Sequence, residues 1–243
     1  MNLEAYAVEK WFLRGKGGSN RFFAVRKTSL TLESGKVCVL TGRSGSGKTT
    51  LMNMMAGLLT PDGGKVILDG QDLYAMPDDA LSRLRNRMFG MIPQGADVLP
   101  ELTVMENITL VQRIYRNRAG SAFSAEAEEG GAGFSSERCE KLLEQMEISH
   151  LRDVPAKELS GGERRRMCIA RALAGNPKFV FADEPTSDLD DENTRIILSM
   201  LRQAADKGCA VMIVSHDAEA EEYADRKWRM DAGQLQDLCV FPA

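Results

Sequence analysis

The sequence predicts an α/β fold built on a mainly parallel sheet, with an antiparallel β subdomain at the N-terminus and an inserted α-helical subdomain. Three observations carry this. Short apolar runs rich in β-branched residues recur at 37–41, 66–68, 88–92, 179–182 and 210–215. Segments with helical spacing lie between some of them, the clearest running through Ile196, Ile197, Met200, Leu201, Ala204 and Ala205. That alternation implies parallel strands with helices on their faces. The N-terminal segment differs: Tyr6 to Leu13 and Phe22 to Leu32 flank the turn-like GKGGSN and read as a hairpin or short antiparallel sheet, expected to edge the parallel core.

Taken in order, residues 1–94 and 175–243 form the core with its β subdomain, and about 95–174 form the helical subdomain, all within one domain. Inside the helical part, RAGSAFSAEAEEGGAGFSSE (118–137) is poor in large apolar groups and predicts an exposed flexible loop. The chain has 243 residues, of which 43% are hydrophobic and 27% charged, enough to bury a real core. A net charge of −4 argues against a nucleic-acid partner, which would favour a basic face. The 5 cysteines form no C-x-x-C pair, pointing to a reducing compartment and no metal cluster. The N-terminus lacks an apolar leader, and no window reaches the ~18 consecutive apolar residues of a membrane span, so the expectation is a chain neither secreted nor membrane-spanning.

The chemistry concentrates at four places. TGRSGSGKTT (Thr41 to Thr50) contains Gly42-x4-Gly47-Lys48-Thr49, the P-loop pattern, after an apolar strand and before a helix carrying Leu51, Met54, Met55 and Leu58. Gly42, Arg43, Ser44, Gly45, Ser46, Gly47, Lys48, Thr49 and Thr50 are therefore the candidate phosphate contacts. Gly45 and Gly47 let backbone N–H groups turn inward, the helix N-terminus adds partial positive charge, Lys48 reaches the terminal phosphates, and the Thr49 hydroxyl can ligate Mg²⁺. Met52, Met54 and Met55 read as core filling. The strand FVFADEP ends in Asp183 and Glu184, carboxylates at the edge where open α/β sheets bind ligands. Asp183 suits Mg²⁺, and Glu184 can polarise a water for in-line attack on a γ-phosphate. The strand AVMIVSHD ends at His216, placed to sense that phosphate, whereas His150 has no such context. Finally, ELSGGERRR puts Ser160 as N-cap before Gly161 and Gly162, a second helix mouth suited to an anion. Lys48 and Ser160 lie in different subdomains, so two copies arranged head to tail would let each LSGGE close over the other's P-loop.

This motif set resembles the ATP-binding cassette ATPases, in which LSGGE, here Leu159 to Glu163, is the signature, and the motif order matches across almost the whole chain. The resemblance implies a P-loop NTPase core, ATP and Mg²⁺ as ligands, and Lys48, Glu184, His216 and Gln94 as the catalytic set. It implies Trp11 or Phe12 at the adenine, Gln94 touching Mg²⁺ and relaying to a membrane partner, and Ser187 to Asp190 crossing the dimer interface. The stretch LRNRMFGMIPQGADVLPELTVMENITL looks most like the macrolide-exporter and lipoprotein-release subgroup. That subgroup implies an integral membrane permease partner, a homodimer of ATPase subunits on ATP binding, and a peripheral location on the cytoplasmic face of the inner membrane.

Three departures from the family pattern bear on local geometry. Arg164, Arg165 and Arg166 stand where glutamines are frequent, Pro93 precedes Gln94 in place of an aromatic, and Asp188 replaces a small residue or Asn. The arginine run reads as a solvated helix face, the alternative being a reach to the partner's nucleotide or an interface acid. A soluble cassette ATPase of DNA repair or translation is the main rival reading; such proteins usually carry a long coiled-coil insertion or two cassettes. A P-loop kinase or GTPase would leave LSGGERRR unexplained.

Overall fold

In the computed structural model, which describes residues 1–14, 20–95, 97–110, 135–187 and 189–238, the N-terminal residues pair as long antiparallel strands, β1 (Asn2–Arg14) and β2 (Asn20–Glu33). Then come β3 (Val37–Thr41), α1 (Lys48–Met55), β4 (Gly63–Leu68), β5 (Gln71–Asp72), α2 (Asp78–Met88) and β6 (Phe89–Ile92). A helical segment at 104–110 leads toward α3 (Ser136–Gln145) and α4 (Gly161–Ala174). The chain closes with β7 (Phe179–Asp183), α5 (Asp191–Asp206), β8 (Ala210–Val214), α6 (Ala218–Glu222), β9 (Arg226–Asp231) and β10 (Gln234–Asp237).

Two sheets result, ordered β2-β1-β4-β5 and β10-β9-β3-β8-β7-β6. In the second, β9, β3, β8, β7 and β6 all run parallel, as the alternating pattern predicts, and β10 returns antiparallel at the edge. Strands β3, β7 and β8 are buried along almost their whole length because both faces are covered. One face packs Val39, Val180, Ala182, Val211 and Ile213 under α3, α4 and α5. The other packs Leu40, Phe181, Met212 and Val214 against α1, whose far side meets Leu3, Val25 and Val66 of the first sheet. Met52, Met54 and Met55 are fully buried in that layer, as expected of core residues. Cys38, Cys139, Cys168 and Cys209 are buried.

Four expectations need correction. The run at 66–68 belongs to β4 of the antiparallel sheet, paired with β1, and not to the parallel core. Its burial alternates, Val66 and Leu68 in and Ile67 half out, the mark of a strand with one covered face. The N-terminal strands likewise form a separate sheet stacked across α1 instead of extending the core's edge. The loop expected over 118–137 lies outside the described residues except at its end, where Ser135 caps α3 and accepts from the Arg138 amide at 3.0 Å, so Ser136 and Glu137 are helical. Leu58, expected on the helix bearing Leu51, lies past the end of α1 and is 55% exposed. Among the described residues, no helix is long and apolar enough to cross a membrane.

Asp225 links the sheet to its helical cover. It accepts from the Val37 amide at 2.8 Å and from Arg202 at 2.6 Å, and Arg202 also donates to the Gly35 carbonyl at 3.1 Å. Burial alone would raise its carboxyl, but the Val37 amide, Arg202 and Lys36 together hold it below the ordinary value. Asp225→Ala is expected to destabilise the fold by about 2 kcal/mol at neutral pH, since it leaves the buried Val37 amide unmatched and takes one carboxylate from Arg202, which keeps Asp206 and the Gly35 carbonyl. The folded carboxyl titrates lower than the unfolded one, so this contribution is present above the unfolded pKa and is lost as pH falls through the folded one. Urea unfolding of both chains should show the gap at pH ~7 narrowing below pH ~4.

Candidate nucleotide site

After β3 the chain turns through Gly42, Gly45 and Gly47 at φ values of 142°, 75° and 106°, all in the region that side chains rarely adopt. A Cβ on Gly47 would stand 1.9 Å from the Ala24 carbonyl oxygen, and one on Gly42 2.2 Å from that of Met230. The loop is thus pressed against β2 and β9, where only glycine fits. Gly47 caps α1 in a left-handed conformation, and no acid in the first turn opposes the helix dipole. Lys48 is 8% exposed and donates to the carbonyls of Gly42 at 2.8 Å and Arg43 at 3.2 Å. The Ser46 hydroxyl is buried without a hydrogen-bond partner, while Arg43, Ser44 and Gly45 are exposed and Thr50 is half-buried.

Thr49 and Asp183 meet although they are far apart in sequence: the threonine hydroxyl donates to the Asp183 carboxylate at 2.8 Å. Asp183 ends β7, 5% exposed, and its carboxyl is pushed up by burial and by Glu184, with Thr49 and Lys48 pulling it down. Glu184 has φ of 46°, costly for a non-glycine residue, and its amide is held by the Val214 carbonyl at 2.8 Å. This turn at the strand end leads the chain out of the sheet. Its carboxylate accepts from the His216 ring Nδ1 at 2.9 Å and from the His216 amide at 3.4 Å. The carboxylate is 12% exposed and the imidazole 72%, so the pair sits at the rim.

The second helix mouth is a complete capping box. The Ser160 hydroxyl accepts from the Glu163 amide at 3.3 Å, and the Glu163 carboxylate accepts from the Ser160 amide at 2.8 Å. A Cβ on Gly161 would meet nothing within 4 Å, whereas one on Gly162 would approach Asn193 at 3.3 Å. Among the described residues, no hydrogen bond or ion pair joins Ser160–Glu163 to the loop around Lys48. Each of the two helix mouths is therefore held by its own local bonds.

The remaining expected residues are distributed as follows. Gln94 follows β6, is exposed, and is held through its backbone carbonyl. Trp11 has the Arg21 guanidinium over its ring at 4.2 Å, and Phe12 is 42% exposed. Ser187 donates to the Glu184 carbonyl at 3.1 Å, Asp190 caps α5, and Asp188 lies outside the described residues. The arginine run is not a solvated face. Arg164 donates to the Leu159 carbonyl at 3.1 Å, Arg166 bonds Asn193, and Arg165 is 6% exposed with three acceptors. Sequence reasoning missed this inward role of Arg165; the signal available was its helical phase with Cys168 and Ile169, both buried.

These groups fit a magnesium nucleotide. The glycine loop leaves amides and the unpartnered Ser46 hydroxyl for phosphate oxygens, Lys48 supplies positive charge, and Thr49 with Asp183 offers hard oxygen donors.

Comparison with known proteins agrees with that geometry. The protein-family model described as ABC transporter matches residues 25–187. The lipoprotein-releasing system ATP-binding protein LolD of Shewanella frigidimarina is 38% identical over 210 residues, covering 85% of this chain and 82% of that protein. The lipopolysaccharide export system ATP-binding protein LptB of Haemophilus influenzae is 34% identical, covering 87% and 82%. Against the probable syringafactin export ATP-binding/permease protein SyfD of Pseudomonas syringae, identity is 35%, but the chain spans only 33% of that protein's length. The dimeric post-hydrolysis state of the ATP-binding cassette MJ0796, bound to ADP and Pi, superposes with a TM-score of 0.81 at 26% identity, over 98% of this chain and 100% of that one. With the family model matching residues 25–187, a relative 38% identical over most of both chains, and the scaffold shared with a solved cassette, the chain belongs to the ABC transporter family.

Proposed function

We propose that the chain is the ATP-binding and ATP-hydrolysing subunit of an ABC transporter, powering a separate membrane permease of the lipoprotein-release or macrolide-export type. The observation that carries it is the meeting of the Thr49 hydroxyl with Asp183 at 2.8 Å, one residue before Glu184, at the mouth of the Gly42–Lys48 loop. The loop amides, Ser46 and Lys48 would hold the β- and γ-phosphates, and Thr49, Asp183 and Gln94 would hold Mg²⁺. When bound, the cation neutralises phosphate charge. Glu184 takes the proton of a water attacking the γ-phosphorus, and His216, held by Glu184, orients toward the same phosphate. Trp11 or Phe12 stacks on adenine.

Ser160, Gly161, Gly162 and Glu163 present their helix mouth to the nucleotide of a second copy, so ATP closes a homodimer and hydrolysis with phosphate loss releases it. The absence, among the described residues, of any hydrogen bond or ion pair between the two helix mouths supports this, as does the dimeric state of the MJ0796 cassette. The relatives named for lipoprotein release and lipopolysaccharide export support a permease partner and a peripheral position on the cytoplasmic face of the inner membrane. The test is phosphate release from ATP by the purified chain, alone and with the membrane protein it retains from detergent extract. Mg²⁺-dependent release with an integral membrane partner is the expected result. Hydrolysis in neither preparation overturns the reading, and ATPase activity with no membrane protein retained favours a soluble cassette role.

A further inference from the structure

We propose that Arg165 is a positioning residue for ATP hydrolysis, tying the signature helix to the loops that carry Gln94 and Glu184 in the same chain. The inference rests on the ATPase reading above. Arg165 lies one turn into α4 beyond Ser160 and is 6% exposed. Its guanidinium donates to two consecutive carbonyls, Pro93 at 2.8 Å and Gln94 at 2.6 Å, and to the Ser187 hydroxyl at 3.3 Å. Ser187 in turn donates to the Glu184 carbonyl at 3.1 Å from its hydroxyl and 3.3 Å from its amide. A single buried cation thus gathers three chain segments that the sheet itself leaves unconnected at this point: the start of α4, the turn after β6 and the turn after β7.

The chemistry of the side chain suits that task. A guanidinium offers five donors in a rigid planar fork, so it can bridge two adjacent carbonyls and still reach a third acceptor. Among the described residues it makes no ion pair with a carboxylate, so its charge remains to strengthen the bonds to the carbonyl dipoles. Among the described residues, the exposed Gln94 side chain makes no hydrogen bond; its orientation depends on the backbone that Arg165 holds. Glu184, in a left-handed conformation, likewise depends on its surroundings to stay there. Any shift of α4 as the signature end meets a second copy is therefore felt at the Gln94 and Glu184 backbones.

The experiment compares the full-length chain with Arg165→Gln, Arg165→Lys and Ser187→Ala, measuring kcat, KM, calorimetric ATP binding with and without Mg²⁺, and the urea midpoint. For Arg165→Gln, metal-free ATP affinity should stay within about 2-fold, the Mg²⁺-dependent gain in affinity should fall about 10-fold, and kcat should fall about 10- to 100-fold at nearly constant KM. Arg165→Lys should recover part of the loss, and Ser187→Ala should lower kcat about 5-fold, roughly as one of several shared bonds. A folded Arg165→Gln with unchanged kcat and Mg²⁺ dependence overturns the proposal, as does an equal loss of metal-free and metal-dependent binding that lysine does not restore. Should Arg165→Gln fail to fold, Ser187→Ala decides, and unchanged kcat there counts against the coupling. A wild-type chain that binds no ATP removes the underlying reading instead, an outcome distinguishable because all four chains then behave alike.

Discussion

Glu184→Gln is expected to lower ATP turnover about 10²- to 10⁴-fold, the usual contribution of a positioned general base, while leaving ATP bound. The substitution keeps the length and shape of the side chain and removes only its ability to take a proton. It should not disturb the fold, because the strained turn at φ of 46° is held by the Glu184 amide on Val214, which the change does not touch. A glutamine oxygen can still accept from the His216 ring, now engaged at 2.9 Å. With hydrolysis blocked and the phosphate contacts intact, the ATP-closed pair has no route to open, and dimer should accumulate. Sizing chromatography in Mg²⁺ and ATP checks this. A variant that turns over ATP like the wild type, or that elutes only as monomer while ATP-bound, contradicts the roles given to Glu184 and to the Ser160 helix mouth.

The parallel core was legible because burial on both faces forces continuous apolar runs, and β3, β7 and β8 fall where Val37, Phe179 and Ala210 begin such runs, while the edge strand β6 starts at Phe89, one residue into the run read from Met88. The same rule misled at Val66, since a three-residue apolar run in a half-covered antiparallel strand looks identical until its partner β1 is known. β9 and β10 carry Arg226, Lys227, Arg229 and Gln236 among few apolar residues, and their signal is the two-residue turn Ala232-Gly233, with both φ values positive. Short motifs marked the candidate residues directly: the glycines, Lys48 and Thr49 follow β3, Asp183 and Glu184 stand at the end of β7, and the topology brings the Thr49 hydroxyl to Asp183. Arg165 was hidden for the opposite reason. A charged residue between two other arginines reads as solvated, and only the fold shows that carbonyls from the turn after β6 wait beneath it.

Lys48→Ala is the second large effect, a fall in ATP affinity of about 100-fold or more, and two separate losses add to it. The ammonium is the one buried cation of the loop, and each charge-assisted bond it would give a terminal phosphate is worth about 1.5 to 3 kcal/mol. Without nucleotide the same ammonium holds the loop together by donating to the Gly42 and Arg43 carbonyls at 2.8 and 3.2 Å. Alanine leaves those carbonyls converging with no cation between them, so the cradle loses its preorganised shape as well as its charge. Lys48→Arg separates the two contributions: it keeps the charge on a bulkier fork that the tight turn around Gly47, 1.9 Å from Ala24 at a notional Cβ, has little room to admit. Calorimetric titration with ATP should therefore rank the affinities as wild type, then arginine, then alanine, with the thermal stability of the nucleotide-free chains much closer together than their affinities. If alanine at position 48 binds ATP as tightly as lysine does, the phosphate-cradle account of this loop fails, because no other buried side chain there carries a positive charge to replace it.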